Sequence, residues 1–219
     1  MMPQRPGTVD FAWRRTTLRH TPKDERKIAL ILPNGLHRDD RIDEGHPGSR
    51  DIPQAAVDLL RALDADGYRV TDLPADGVAL IRALHAASID DAETFPRSDY
   101  GIFFNDLPGL VQDSVSTRWG APERDPFFRE GCLDCGSFVM PAIRCGNIIV
   151  AIEPSRGSDI ASKVDGLAST QESPPPHSYL AFYAWLADGV RVHAVVHFGK
   201  SGDLKWLLGD GETKEDIES

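Results

Sequence analysis

Two stretches of this chain are apolar without a break. Lys27-Ile-Ala-Leu-Ile-Leu-Pro33 and Asn147-Ile-Ile-Val-Ala-Ile152 each carry five successive apolar residues. A strand with one face in water alternates apolar and polar residues. An unbroken run belongs to a strand covered on both faces, which is the habit of a parallel sheet packed between helices. Neither run approaches the roughly 20 residues that cross a bilayer. Tyr68–Asp72 and Val192–Phe198 read as two further short strands.

Helical patterns lie between these strands. Asp51 to Asp66 carries Ala56, Leu59, Leu60 and Leu63 on one stripe, with Pro53 in the first turn and Gly67 just past the end. Asp76 is placed to cap a helix that runs to about Ala86. A helical pattern spans Asp99 to Trp119, and Pro108 should split it in two. His177 to Asp188 is apolar nearly all round, as in a helix buried on both sides. Leu36–Arg50, 155–176 and Gly199–Gly202 read as loops and a turn, 87–98 as a polar linker and 120–137 as irregular. The fold class is therefore α/β, a mostly parallel sheet with helices on both faces in a Rossmann-like or flavodoxin-like layering.

The 219 residues allow one large domain or two small ones. The division read from composition is a basic arm over 1–26, an α/β domain over 27–209 and an acidic tail over 210–219. A formal net charge of −10 argues against a protein that tracks nucleic-acid phosphates. The N-terminus has no apolar segment of the secretory kind, and three cysteines leave one unpaired, so the expected home is a reducing cytoplasm with no membrane contact.

In an open parallel sheet, ligands sit beyond the carboxyl ends of the strands. Three loops gather there: Pro33-Asn34-Gly35, Glu153-Pro-Ser-Arg-Gly157 and His197-Phe-Gly-Lys-Ser-Gly-Asp203. Arg156 suits a carboxylate-bearing ligand, though a surface arginine is equally ordinary. His197 ends a strand where a ligand role is open to it. His193 shares its strand face but lies about 13 Å away at roughly 3.3 Å per residue, so the pair cannot share one ion. His177 follows three prolines and starts a helix at once; it is either a held imidazole or a plain first-turn residue. Ala194-Val-Val-His-Phe-Gly-Lys-Ser201 fits a relaxed phosphate-binding loop, but its first glycine is missing and its middle residues prefer a strand. Cys132 and Cys135, with Cys145 ten residues on, fall short of the four ligands of a zinc site unless a histidine joins.

At His177-Ser-Tyr-Leu-Ala-Phe-Tyr-Ala-Trp-Leu186, followed by Ala194-Val-Val-His-Phe-Gly-Lys200, the chain resembles the large subunit of cobaltochelatase, a family related to the large, H-type component of magnesium chelatase. Arg118-Trp-Gly-Ala-Pro122, Asp125-Pro-Phe-Phe128 and Gly146-Asn-Ile-Ile-Val150 leading to Pro154-Ser-Arg-Gly157 agree in the same order. The likeness covers roughly residues 9–209 and only an internal segment of the family protein. It implies insertion of Co²⁺, or of Mg²⁺, into a tetrapyrrole, with ATP used by separate AAA-type subunits and not bound here. It also implies catalytic positions at His197, Ser201 and Lys205, substrate-binding positions at Arg156, His177, Gly199 and Lys200, and a metal contact at His197.

The likeness departs from the family where chemistry is expected. The family pattern is approximately H-x-G-K-H-G-N-L-E-W-L-P-G-K. Here Ser201 stands in place of the second His and Lys205 in place of Glu. Metal insertion strips two pyrrole protons, and a lysine at neutral pH has no lone pair to accept one. The expectation is a truncated segment that binds tetrapyrrole or partner subunits and has lost its His/Glu pair. A non-catalytic remnant that engages chelatase partners is the alternative, and a phosphate-binding protein using Gly199-Lys200-Ser201 is the third reading.

Overall fold

The computed structural model describes residues 17–34, 52–87, 92–131, 136–157 and 174–198. In chain order the elements are β1 (Ile28–Leu32), α1 (Ile52–Ala65), α2 (Gly77–Ala87), β2 (Glu93–Pro96), α3 (Arg97–Asp106), α4 (Gly109–Trp119), β3 (Phe128–Arg129), β4 (Ser137–Met140), β5 (Ala142–Cys145), β6 (Ile148–Ile152), α5 (His177–Ala184) and β7 (Ala194–His197). A single π-helical turn, Trp185–Val190, continues α5.

The two unbroken apolar runs are neighbours. β1 lies between β6 and β7 and runs parallel to both, with Leu30 opposite Val150 on one side and Val196 on the other. β5 pairs antiparallel with the outer edge of β6, giving the order β5-β6-β1-β7. Successive side chains of a strand point to opposite faces. Ile28, Leu30 and Leu32, with Ile148, Val150 and Ile152, pack on Ala56, Val57 and Leu60 of α1 and Leu80 and Leu84 of α2. Ala29 and Ile31, with Ile149 and Ala151, face Phe182 and Trp185 of the last helical segment, together with Tyr100, Val115, Phe138 and Met140. Each fully buried leucine or isoleucine here is worth about 2 kcal/mol relative to exposure. That two-sided cover is the α/β layering expected of the sequence.

The helix signals hold. Gly67 ends α1 at φ +87°, a conformation that a side chain disfavours. Asp76 Oδ1 accepts from the Ala79 amide at 2.8 Å and caps α2. Pro108 separates α3 from α4. In α5, seven of the eight residues are buried, and only Tyr183 reaches part-way to the surface.

Other expectations are overturned. Tyr68–Asp72 forms no strand. β5 holds the sheet edge, and the segment touches the β5–β6 turn through one backbone bond, from the Asn147 amide to the Arg69 carbonyl at 2.9 Å. The linker read at 87–98 contains β2 and the first turn of α3, while 88–91 lie outside the described residues. The irregular stretch at 120–137 contains β3, and the segment beyond it supplies β4 and β5, which the pattern did not announce. β2, β4 and β3 form a second, antiparallel sheet with Phe95 and Phe128 each opposite Phe138. Strands of two to four residues are too short to show a period. Pro96 is tolerated because β2 is an edge. The loop at 36–50, the turn at 199–202 and the tail at 210–219 lie outside the described residues. Among the described residues no helix is long and apolar enough to cross a membrane.

Candidate functional site

β1 and β6 are adjacent and parallel, yet their outgoing connections diverge. The chain leaves β1 for α1 on one face of the sheet and leaves β6 for α5 on the other. In open α/β sheets ligands bind at such a divergence, in the region beyond the carboxyl ends of the two strands. Glu153 reaches it directly from β6, its amide held by the Leu32 carbonyl at 2.9 Å. Its Oε1 accepts two hydrogen bonds, from the Tyr179 hydroxyl at 3.0 Å and the Tyr183 hydroxyl at 2.5 Å. Those tyrosines stand four apart on α5, hence on one face of the helix.

The two rings carry the cluster outward. Tyr183 stacks on the His197 imidazole at the end of β7, with centroids 6.2 Å apart and planes at 26°. The Arg156 guanidinium lies 5.7 Å over the Tyr179 ring. Burial and the neighbouring Glu153 charge push the Tyr179 phenol up to about 12. Burial and the bond to Glu153 push Tyr183 up as well. Both phenols therefore keep their protons at neutral pH and act as donors. Glu153, Arg156, Tyr183 and His197 are all partly exposed, while Tyr179 is buried.

At the start of α5 the arrangement is closed. His177 is 1% exposed. Its Nδ1 lies 2.6 Å from the Tyr100 hydroxyl and its Nε2 lies 3.0 Å from the Gly120 carbonyl. A carbonyl only accepts, so Nε2 carries the proton and Nδ1 accepts from Tyr100. Burial lowers the His177 pKa against the smaller upward pull of the Gly120 carbonyl and Asp125. Asp125 accepts from the Phe127 amide at 2.9 Å and, through its other oxygen, from the Ser178 amide at 2.8 Å, which caps α5 from a distant loop. Trp119 Nε1 donates to the Pro174 carbonyl at 2.8 Å. Gly157, at φ +90°, packs so closely on the Trp119 ring that a Cβ would come within 2.6 Å of it. The motifs Arg118–Pro122 and Asp125–Phe128 thus form a clamp around the first turn of α5.

The CobN/Magnesium Chelatase family model matches residues 4–213. The chain belongs to that family. It is 40% identical over 211 residues to the aerobic cobaltochelatase protein CobN from Sinorhizobium sp, covering 92% of this chain and 16% of that protein. It is 26% identical to the H-type component of magnesium chelatase from Chlorobaculum parvum over 208 residues, 90% of this chain and 15% of that protein. The solved catalytic subunit of cobaltochelatase from Mycobacterium tuberculosis superposes with a TM-score of 0.74 at 32% identity, over 91% of this chain and 17% of that one. The chain spans about a sixth of the length of these relatives. The likeness drawn from the sequence motifs is therefore a family relationship, and its α/β layering is the layering observed.

Within this CobN-like segment the structure brings His197 and Arg156 to one edge, at either end of the tyrosine pair. His177 is not exposed at that edge; its imidazole is enclosed at the start of α5. Gly199, Lys200, Ser201 and Lys205 lie outside the described residues, as do Cys132 and Cys135. His193 exchanges bonds with the Lys27 backbone, its Nδ1 accepting from the Lys27 amide at 2.9 Å, at the opposite end of the sheet from His197. Cys145 is buried, and burial pushes its thiol up to about 11. Among the described residues no group of three or more His, Cys, Asp and Glu could hold a metal ion. A separate cleft of about 640 Å³, lined by Phe95, Asp99, Ile102 and Asp188, lies near the amino end of β1, where Lys27 holds the Val190 carbonyl at 3.1 Å. Sequence reasoning missed Glu153, Tyr179 and Tyr183 as a unit. The available signal was an acid directly after a buried strand and two hydroxyls four apart on an otherwise apolar helix.

Proposed function

We propose that this chain is a tetrapyrrole-binding segment of the cobaltochelatase class. The observation that carries the reading is the Glu153–Tyr179–Tyr183–His197 cluster, with Arg156 beside it, at the diverging carboxyl edge of β1 and β6. Arg156 offers a guanidinium to a carboxylate or amide arm of the macrocycle. His197, on its tyrosine, faces the centre where a divalent cation enters. The cation, Co²⁺ or Mg²⁺, is a substrate of the reaction rather than a resident group. Gly199 and Lys200, two and three residues after His197 in sequence, are further macrocycle contacts in this reading. Ser201 and Lys205 occupy the positions where the family pattern carries His and Glu. ATP is consumed by separate AAA-type subunits with which the segment works in the cytoplasm.

An absorbance titration of the full chain with a free-base porphyrin bearing two propionate arms tests this reading. The expected result is a saturable shift of the porphyrin band, with Arg156→Ala binding about tenfold more weakly, the value of one charge-assisted hydrogen bond. A titration with no saturable shift overturns it.

A further inference from the structure

We propose that Glu153 is the proton-accepting carboxylate of this edge, taking a pyrrole proton as a divalent cation enters the macrocycle. The inference rests on the tetrapyrrole-binding reading and names the group that does the chemistry there.

The position of Glu153 and the loss of the other acids and bases in reach favour it, while His197 at the same edge is kept for the cation. Insertion releases two protons: each of two pyrrole N–H bonds breaks, and its electron pair becomes a nitrogen–metal bond. The metal is neither oxidised nor reduced, so the reaction needs proton acceptors and no redox partner. Residue 205, where the family pattern has a carboxylate, is a lysine and cannot accept. His177 has both ring nitrogens engaged in the interior. Tyr179 and Tyr183 keep their protons and donate hydrogen bonds to Glu153. Glu153 itself is partly exposed, and both tyrosine bonds fall on Oε1. Within the described residues no hydrogen bond reaches Oε2. One oxygen is thus used to fix the partly exposed carboxylate, which leaves the other to accept a proton. A carboxylate is basic enough for this step, because a cation seated on a pyrrole nitrogen makes its N–H acidic. The proton received on Oε2 passes to bulk water; the second pyrrole proton leaves to solvent.

Glu153→Gln separates chemistry from architecture. The amide carbonyl can accept both tyrosine bonds, while the charge and the proton-accepting oxygen are gone. The experiment uses the full chain with ATPase partner subunits that support a full-length relative, ATP, Co²⁺ and the same free-base porphyrin, following loss of the free-base spectrum. The expected result is insertion by the unmodified chain, slowed by Glu153→Gln on the order of a hundredfold, with porphyrin affinity within about twofold of the parent. Equal rates for the two proteins overturn the proposal while leaving the binding reading intact. So does a chain that binds porphyrin and inserts no cobalt, or inserts it only after Ser201→His with Lys205→Glu. Failure to bind porphyrin at all removes the binding reading and this proposal with it.

Discussion

Helix α5 carries two polar clusters of opposite character only a few residues apart. At its start, His177, Tyr100, Gly120 and Asp125 close on one another in the interior, and every polar side-chain atom buried there has a partner. From Tyr179 to Tyr183 the hydroxyls converge instead on a partly exposed carboxylate at the rim of the sheet. The first arrangement spends its hydrogen-bonding capacity on holding the chain together. The second keeps part of its capacity facing solvent, where a ligand can use it. A histidine that looks chemically promising in sequence is therefore enclosed in the fold, and a glutamate that attracts no notice is the group that the proposed chemistry uses.

Removing the interior histidine is the severest way to test this contrast. His177→Ala leaves the Tyr100 hydroxyl and the Gly120 carbonyl unpaired and opens a cavity, and should cost about 3 kcal/mol. Asp125→Ala strands the Phe127 and Ser178 amides and should cost about 2 kcal/mol. Urea denaturation measures both, and a loss below about 1 kcal/mol for His177→Ala would show that the interior cluster is not structural.

The same histidine gives a pH signature of intermediate size. Its folded-state pKa is lowered, chiefly by burial, so the unfolded chain binds the proton more readily. The unfolded state then holds more protons in the window below the ordinary histidine value of about 6.5, and stability rises with pH there. The contribution is complete above the unfolded pKa and is lost as pH falls from there through the folded one. Urea midpoints taken from about pH 7.5 down to about 5 should fall more steeply for the parent than for His177→Gln, which has no proton to gain. His193, also lowered by burial, is present in both proteins and cancels in the comparison.

How far the sequence could be read follows from the length of its signals. β1, β6, α1, α2, the break at Pro108 and the all-round burial of α5 each rest on a pattern of five residues or more, or on a capping residue with one geometric use. β2, β3, β4 and β5 are two to four residues long, and their pairing is decided by tertiary contacts such as Phe95 and Phe128 against Phe138. The carboxyl edge was legible because strand ends in a parallel sheet share one side. His197 and Arg156 were visible there as residue types. Glu153 was not, because the hydrogen bonds that single it out come from two hydroxyls supplied 26 and 30 residues later in the chain.

Tyr183→Phe is the mildest probe of the contrast. Glu153 keeps its bond from Tyr179, and the ring that stacks on His197 remains. The lost hydroxyl sits at a partly exposed position where water can take its place on the carboxylate, so the change in unfolding free energy should stay under about 1 kcal/mol. Porphyrin affinity should shift only slightly, because neither Arg156 nor His197 moves. A stability loss equal to that of His177→Ala would mean that the rim cluster is as closed as the interior one. The two ends of α5 would then not differ in kind, and the accessible carboxylate on which the proposed chemistry depends would be part of the scaffold instead.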